Sequence, residues 1–370
     1  MPPLGLLIKP ASGQCNMRCS YCFYRDEMEN RSSLSLARMD EETTEYLIKR
    51  AFEFAEESCS FGFQGGEPTL AGLEYFQRFS ELVKRYNVKQ IPVNYSIQTN
   101  GYLINQAWVD FFAEHHYLVG LSLDGVQIVH DSLRRDYAHK ATFSKVMRAA
   151  ERLRKVDVPF NILTVVTAPL ARHIKETYAF YQKNGFSHQQ YIPCLDPIGE
   201  DRGLYRFSLT PELYGRFLCD LFDLWYHDLK HHRYCSIRYF DNLLMILHDT
   251  LPESCGMLGC CSIQNVVEAD GGVYPCDFYA LDHYRLGNVK VNTFEEIYEK
   301  RKQSGFLQRS LQKAPQCLSC PWKNICRGGC IRDRDRFDGG ELGLNYFCRS
   351  YQMFFEHSFS RLQEIARGSF

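Results

Sequence analysis

Three cysteines near the start of the chain have a spacing that suits metal binding. Cys15, Cys19 and Cys22 form a C-x3-C-x2-C pattern soon after a short apolar run. Three thiolates bind three irons of a [4Fe–4S] cube and leave the fourth iron open to another ligand. Structural zinc is the alternative, but it prefers four ligands in paired C-x2-C spacing, and no fourth cysteine or histidine follows nearby. The pattern favours a cluster with one reactive iron.

A second group of nine cysteines lies between Cys255 and Cys348. It includes a C-x2-C-x5-C-x3-C-x17-C run that starts at Cys317. Four cysteines hold one complete [4Fe–4S] cluster, so the nine cysteines suffice for two such clusters. A zinc ribbon is the alternative, because both kinds of site use C-x2-C pairs. Disulfides do not explain sixteen cysteines in an intracellular chain, since a reducing compartment does not preserve them.

Apolar runs that alternate with helical patterns would position these cysteines. Helices are predicted where apolar residues recur at three- and four-residue spacing, over 40–57, 73–86, 106–115, 143–155, 174–183 and 211–229. Six β-rich runs predict strands: LLIKP, CSFGFQGGEP, VNYSIQTNG, LVGLSLDG, FNILTVVT and QQYIPCLDP. Such alternation gives parallel strands in an open doubly wound sheet or a barrel. Six units favour an α/β fold with a partial (β/α)6 TIM-like barrel.

The predicted active site lies at the carboxyl ends of these strands, where the loops of barrel folds build their sites. Gln64, Gln98, Asp124 and Asp196 are polar residues at these ends. From about Ser236 the alternation stops, and the chain becomes rich in cysteine and glycine, so bound metal would stabilise this part. Helical spacing returns over 351–366. We predict a barrel domain at 1–235, a cysteine-rich domain at 236–350 and a C-terminal helix at 351–370.

The charge and hydropathy of the chain exclude several classes of partner. Charged residues make up 24% of the 370 residues and the formal net charge is -1. Neither nucleic acid nor a membrane surface is therefore an expected partner. The sequence shows no signal peptide, and no apolar stretch of about 18 residues predicts a membrane span. We expect a cytoplasmic protein.

Several motifs resemble the radical S-adenosylmethionine (SAM) superfamily. The three cysteines are followed at 65–68 by the motif GGEP. Alone, this motif would indicate an ordinary turn. After the cysteines, its glycines would let the backbone approach the amino group of SAM. The cysteine-rich end resembles the SPASM domain of peptide-modifying radical SAM enzymes. Almost the whole chain is similar to the anaerobic sulfatase-maturating enzymes, in the motifs FGFQGGEPTLAG, IQTNG, VGLSLDG, SIRYFD, VYPCDFY and RLGN.

The resemblance implies three [4Fe–4S] clusters and S-adenosyl-L-methionine as cofactors. The cluster that binds SAM would be held by Cys15, Cys19 and Cys22. The SPASM pattern assigns the two auxiliary clusters to Cys255, Cys261, Cys276 and Cys330, and to Cys317, Cys320, Cys326 and Cys348. Cys260 is adjacent to Cys261 and could replace it. The other cysteines are expected to be core residues, namely Cys59, Cys194, Cys219 and Cys235.

The resemblance also implies residues that contact SAM and the substrate. The expected SAM contacts are Tyr21, Phe23, Gly65, Gly66, Glu67, Gln98, Ser122, Asp124 and Leu195. For Asp124, a plain Asp-Gly turn is an equally good interpretation. Phe23 and Tyr24 could both be ordinary packing aromatics. The expected contacts to a peptide substrate are Tyr24, Gln64, Gln98, Asp196, Arg238 and Tyr239, with Asp241 as a further candidate.

Asp277 directly follows Cys276 in the motif VYPCDFY. At this motif position the sulfatase-maturating family has an aspartate that acts as general base. The family oxidises a sulfatase cysteine or serine to Cα-formylglycine. A 5′-deoxyadenosyl radical takes a hydrogen from Cβ, the base takes the thiol or hydroxyl proton, and a nearby cluster takes an electron. Serine gives the aldehyde directly, whereas cysteine gives a thioaldehyde that water hydrolyses with release of hydrogen sulfide. From the residues alone, a turn cap at Asp277 is an equally good interpretation. The resemblance predicts a sulfatase polypeptide as substrate and leaves cysteine and serine open.

Two other functions stay open from the sequence. SPASM domains also occur in enzymes that crosslink ribosomal peptides through thioether or carbon–carbon bonds, although an amino-terminal precursor-binding domain does not fit ahead of Cys15. An electron-transfer or metal-stabilised interaction protein without enzymatic activity would leave the GGEP turn unexplained. The resemblance further implies an anaerobic host, an electron donor such as ferredoxin or flavodoxin, and a monomer.

Overall fold

A computed structural model of the chain describes residues 3–32, 37–337 and 339–368. The strands in these residues are β1 Leu4–Ile8, β2 Cys59–Phe63, β3 Val93–Thr99, β4 Leu118–Ser122, β5 Phe160–Val166, β6 His188–Pro193, β7 Ser236–Ile237, β8 Val266–Val267, β9 Gly272–Tyr274 and β10 Gly287–Asn288. The six predicted strands correspond to β1–β6, so that part of the prediction is confirmed.

The α-helices in the same residues are α1 Phe23–Glu29, α2 Glu41–Phe54, α3 Leu73–Tyr86, α4 Gln106–Glu114, α5 Gln127–Leu133, α6 Phe143–Lys155, α7 Ala168–Arg172, α8 Ile174–Lys183, α9 Pro211–Lys230, α10 Arg238–Leu247, α11 Phe294–Gln303, α12 Phe306–Leu311, α13 Pro315–Leu318, α14 Lys323–Cys326 and α15 Cys348–Ala366. None of them combines the length and apolar character that crossing a bilayer requires.

Helix ends follow the capping chemistry of the sequence. α3, α6 and α8 have the predicted bounds. α2 begins after Asp40, whose side chain accepts a hydrogen bond from the backbone N–H of Thr43. The predicted ranges do not include α1, α5, α7 or α10–α14. Of these, α1 and α10 follow the cysteine loop and β7 directly, without a loop rich in turn-forming residues.

The chain divides into two compact units. The first unit contains the described residues of 1–122, 134–160 and 263–306. Its strands follow the order β10-β9-β8-β1-β2-β3-β4, in which β8, β1, β2, β3 and β4 run parallel and β8-β9 and β9-β10 are antiparallel. The parallel strands β1–β4 have an apolar core on the helix side, formed by Phe61, Phe63, Phe76 and Phe79 in edge-to-face contacts.

The second unit contains 123–133, 161–262 and the described residues of 307–370. Its strands β5, β6 and β7 are parallel. The long helices α9 and α15 pack against each other, with Phe222 and Phe354 in contact between them. The cysteine-rich segment is anchored on α15, because the ring of Trp322 contacts Phe355 and Phe359. The predicted domain boundaries at 235 and 350 stay a prediction.

Candidate active site

The predicted base and two predicted substrate residues meet in the first unit. Gln64 follows β2, and its backbone N–H donates to Ile8 at the end of the neighbouring strand β1. The Tyr24 hydroxyl, on α1, donates to Asp277 Oδ2 at 2.7 Å. The Gln64 side-chain amide donates to the same oxygen at 3.1 Å and to the Tyr24 hydroxyl at 2.5 Å. One carboxylate oxygen of Asp277 is therefore the centre of a small polar cluster.

The other Asp277 oxygen faces a lysine that the sequence analysis did not single out. Lys9 Nζ lies 3.0 Å from Asp277 Oδ1, 3.2 Å from Glu27 Oε2 and 3.5 Å from Glu268 Oε1. Arg31 Nη1 pairs with Glu268 at 2.8 Å and Arg31 Nη2 with Glu27 at 3.5 Å. These five side chains form what we call the buried charge cluster. The Lys9 side chain is only 1% exposed.

The environment changes the protonation of the buried charge cluster. Burial alone would favour the neutral lysine, but Asp277, Glu27 and Glu268 outweigh burial and raise the pKa of Lys9. Burial raises the pKa of Glu27 to about 7, against the opposing effect of Lys9. For Glu268, the nearby Lys9 and Arg31 outweigh burial and lower the pKa of the carboxyl. Lys9 is therefore charged at neutral pH, whereas the carboxyl group of Glu27 titrates near neutral pH.

The GGEP turn packs against the loop that leads into Cys15. Gly66 N–H donates to the Ser12 carbonyl, and Glu67 N–H donates to the Gln14 carbonyl, each at 2.8 Å. A Cβ on Gly66 would lie 2.1 Å from the Gln14 oxygen, and Gly65 has φ +111°. The two glycines are thus required for close approach to the cysteine loop. Their predicted contact with SAM remains a prediction.

Glu67 and Asn100 connect this turn to the end of β3. The fully buried Glu67 carboxylate accepts hydrogen bonds from Thr69, from the Thr99 hydroxyl at 2.8 Å and from the backbone N–H of Asn100 at 2.7 Å. The Asn100 side-chain amide donates to Asn16 at 2.8 Å and lies 3.6 Å from the Cys15 sulfur. Glu67 therefore fixes the strand end that supports the cysteine loop.

The remaining predicted SAM contacts of the first unit also have partners within it. The Gln98 side-chain amide donates to the Ser122 hydroxyl at 3.0 Å, so the ends of β3 and β4 are joined. The Tyr21 hydroxyl accepts from Arg134 at 2.7 Å. The ring of Phe23 lies 5.1 Å from that of Phe278 in an edge contact, and its predicted contact with SAM stays a prediction.

The other predicted residues lie in the second unit. Asp124 Oδ1 accepts from the backbone N–H of Val165. Asp196 accepts from the Ser208 hydroxyl and from the backbone N–H of Gly203. Arg238 donates to Gln190 at 3.2 Å, whereas the Tyr239 ring packs against Phe354. The side chain of Leu195 is half-buried, and Asp241 accepts from Ser236.

The accessibility of the cysteines separates the predicted ligands from the predicted core cysteines. No disulfide joins any of the sixteen cysteines, all of which lie in the described part of the chain. Every predicted cluster ligand is half-buried. Cys59, Cys194 and Cys235 are buried as predicted, whereas Cys219 is half-buried and Cys260 is exposed. Half-buried thiols can reach a cluster bound at the surface of the fold, so the donor set fits iron–sulfur clusters.

Cys255 and Cys261 lie close together in the second unit. A hydrogen bond from Cys261 lowers the pKa of Cys255 to about 6, with a further contribution from Ser262 N–H at 3.3 Å. The contact favours Cys261 over the exposed Cys260 as the partner of Cys255. Among the described residues, no group of three or more histidine, cysteine, aspartate or glutamate side chains is spaced to hold a single metal ion.

The sequence analysis missed four of the five members of the buried charge cluster, namely Lys9, Glu27, Arg31 and Glu268. Lys9 has a detectable signal, because it is a charged residue at the end of a buried strand in LLIKP. Glu27 and Glu268 have none, since they are ordinary acidic residues on a short helix and after a two-residue strand. Only the fold brings them to Lys9.

Two family models match the chain. The radical SAM superfamily model matches residues 10–180, and the iron–sulfur cluster-binding SPASM domain matches residues 259–321. Together with the mostly parallel strands of the α/β fold, these matches confirm the predicted fold class.

Relatives cover the full length of the chain. A cysteine-type anaerobic sulfatase-maturating enzyme of Clostridium perfringens is 48% identical and covers 100% of both chains. A cysteine-type enzyme of Clostridium novyi is 46% identical over 99% of this chain and 98% of its own. A serine-type enzyme of Bacteroides thetaiotaomicron is 31% identical over 96% and 89%.

Solved structures agree with these relatives. A native anSMEcpe with bound AdoMet and Cp18Cys peptide superposes with a TM-score of 0.96, at 46% identity and over 100% of both chains. Streptococcus suis SuiB bound to its precursor peptide SuiA shares the fold alone, with a TM-score of 0.66 at 17% identity over 94% of this chain and 76% of its own. The chain therefore belongs to the radical SAM superfamily and, within it, to the anaerobic sulfatase-maturating enzymes.

Proposed function

We propose that the protein oxidises a cysteine of a sulfatase polypeptide to Cα-formylglycine. The observation that carries this proposal is the Asp277 carboxylate, which lies among Tyr24, Gln64 and Lys9 in a chain that is similar over its full length to cysteine-type maturating enzymes. Cysteine is preferred over serine because the cysteine-type relatives are 48% and 46% identical, against 31% for the serine-type relative.

The cofactors are three [4Fe–4S] clusters and S-adenosyl-L-methionine. When bound, they supply the radical that takes a hydrogen from Cβ of the substrate and the acceptor for the remaining electron. We propose Cys15, Cys19 and Cys22 as ligands of the SAM-binding cluster, and the eight cysteines assigned from the SPASM pattern as ligands of the auxiliary clusters. The assignment of Cys276 together with Cys255, Cys261 and Cys330 stays a prediction from the resemblance.

The protein's own contribution is to receive the substrate proton. Asp277 Oδ2 accepts hydrogen bonds from Tyr24 and Gln64, so its position is fixed before a substrate arrives. Burial, followed by the effect of Asp277, raises the pKa of Tyr24 well above its usual value, so the phenol stays a donor. A substrate thiol at this oxygen would pass its proton to Asp277.

The proposal is tested with a peptide that carries the cysteine motif of a sulfatase. The enzyme, with its clusters reconstituted, is incubated without oxygen with peptide, SAM and dithionite, and the peptide mass is measured. The expected product is the aldehyde, trapped as a hydrazone. The matched controls are a peptide with serine and one with alanine at the target position. An unchanged cysteine peptide, in a reaction that releases 5′-deoxyadenosine, would contradict the proposal.

The finer predictions about partners stay proposals. We propose a ferredoxin or flavodoxin as electron donor, a monomeric state and a cytoplasmic location. Crosslinking of a ribosomal peptide is not favoured, because the relatives that cover the whole chain are sulfatase-maturating enzymes.

A further inference from the structure

The buried charge cluster contains one more acidic than basic side chain. Glu27, Glu268 and Asp277 face Lys9 and Arg31, and the three acids are at most 7% exposed. Charges removed from water to this degree are tolerated only when they are paired with good geometry. Lys9 is the member that contacts all three acids, so the arrangement depends on it.

The two oxygens of Asp277 have different partners. Oδ2 accepts hydrogen bonds from Tyr24 and Gln64, whereas Oδ1 is held by the Lys9 ammonium. The Lys9 contact at 3.0 Å is an ion pair without hydrogen-bond alignment, since Oδ1 accepts no hydrogen bond in the structure. A carboxylate held at one oxygen by a buried cation cannot rotate freely about its Cβ–Cγ bond.

Both the backbone and the side chain of Lys9 are held in place. Its backbone N–H donates to the Val267 carbonyl at 2.8 Å, at the point where β8 joins β1. Its Nζ lies 4.8 Å from the centre of the Tyr24 ring, a distance suited to a cation–π contact. Lys9 therefore contacts both Asp277 and the tyrosine that donates to Asp277.

We propose that Lys9 is a positioning residue, whose ammonium holds Asp277 so that Oδ2 faces the substrate proton. This inference rests on the proposed function. Lys9 acts through Asp277 and does not contact the substrate. Misplacement of a reacting group by about 1 Å can cost roughly 100-fold in rate. Loss of Lys9 should therefore impair the step that uses Asp277 more than the earlier hydrogen abstraction.

The test compares two cations of the same cluster. Lys9→Met removes the cation that contacts Asp277, and Arg31→Met removes the cation that contacts only Glu27 and Glu268 among the described acids. Both variants lose one positive charge from the same buried site. The measured quantity is the ratio of 5′-deoxyadenosine released to formylglycine formed, with a target cysteine deuterated at Cβ.

In Lys9→Met, the ratio of 5′-deoxyadenosine to formylglycine should rise by about 10-fold or more, since general-base steps contribute roughly 100-fold or more to rate. In Arg31→Met, the ratio should stay within about twofold of wild type. Deuterium should still enter 5′-deoxyadenosine in Lys9→Met, because the abstraction step does not use Asp277. A wild-type ratio in a Lys9→Met protein with full iron content would overturn the inference. So would an equal rise in both variants, because the effect would then come from lost charge.

A second pair of variants covers the case in which Lys9→Met does not fold. Lys9→Met with Glu268→Gln and Arg31→Met with Glu268→Gln each remove one cation and one anion, so the net charge of the cluster is kept. Only the first double variant should show the raised ratio. If wild-type enzyme forms no formylglycine at all, the proposed function fails; if wild type is active and both double variants keep its ratio, only the role of Lys9 fails.

Discussion

The surroundings of Asp277 and the cysteine-rich part of the second unit are built by different means. Asp277 is held by side chains of the protein: Tyr24, Gln64 and Lys9 all contact it. The cysteine-rich part consists of helices as short as four residues, α13 and α14, which cannot be stable by themselves. The proposed base is therefore positioned by the fold, whereas the cysteine-rich part is expected to need bound metal for its stability.

The largest effect is expected from Asp277→Asn. The amide keeps the shape of the side chain but cannot take the substrate proton, so formylglycine formation should fall by about 100- to 10,000-fold. Formylglycine formation is measured by mass spectrometry of the peptide. Asp282→Asn is the matched control, since Asp282 is an exposed residue that accepts from Ser32 N–H. Equal losses in both variants would contradict a general-base role.

Removal of iron should separate the two regions. Chelation without oxygen is expected to raise amide hydrogen exchange throughout α13 and α14, because the metal supplies most of the stability of such segments. Strands β1–β4, with their apolar core, should keep their protection. Hydrogen exchange measured by mass spectrometry before and after chelation shows whether the two regions differ in this way. Equal deprotection of both regions would show that the surroundings of Asp277 also depend on metal.

The pH dependence of stability should reveal Glu27. Burial raises the pKa of Glu27 to about 7, above the value of 4.5 of an unperturbed glutamate. The folded state therefore binds the proton of the Glu27 carboxyl more tightly than the unfolded state does. The stability that this difference contributes is fully present below about pH 4.5 and is lost as the pH rises through 7. From pH 5 to pH 8 the free energy of unfolding should fall by roughly 1–3 kcal/mol.

Glu27→Gln should remove this part of the decline, as measured by the pH dependence of the thermal midpoint at constant iron content. Glu53→Gln is the control, because Glu53 is an exposed residue of α2 that pairs with Arg50. An identical pH dependence in wild type and Glu27→Gln would contradict the raised pKa of Glu27.

The smallest effect is expected from an exposed ion pair on α1. Arg25 pairs with Glu29 at 2.9 Å, but both side chains are about half exposed. Arg25→Ala should therefore change the free energy of unfolding by about 0.5 kcal/mol or less. Differential scanning calorimetry of this variant beside Lys9→Met compares an exposed with a buried cation. A large loss in Arg25→Ala would show that α1 depends on its surface charges.

Regular elements were predictable where a local pattern sets them. The bounds of α3, α6 and α8 and the six strands β1–β6 follow from apolar spacing and turn residues. β8 and β9 have only two and three residues, and they exist because β8 pairs with β1 far away in the chain. No local pattern can report such a pairing.

The donor chemistry is readable from the amino-acid sequence: it consists of the cysteine spacings, the glycines of the GGEP turn and an aspartate next to Cys276. These features follow from short stretches of chain. The approach of Glu27 on α1, Glu268 after β8 and Asp277 to Lys9, the residue that follows β1, depends on the tertiary structure. The physical reason is that charges are buried together when backbone pairing and apolar packing bring their elements together, and neither determinant lies in the sequence around the charges.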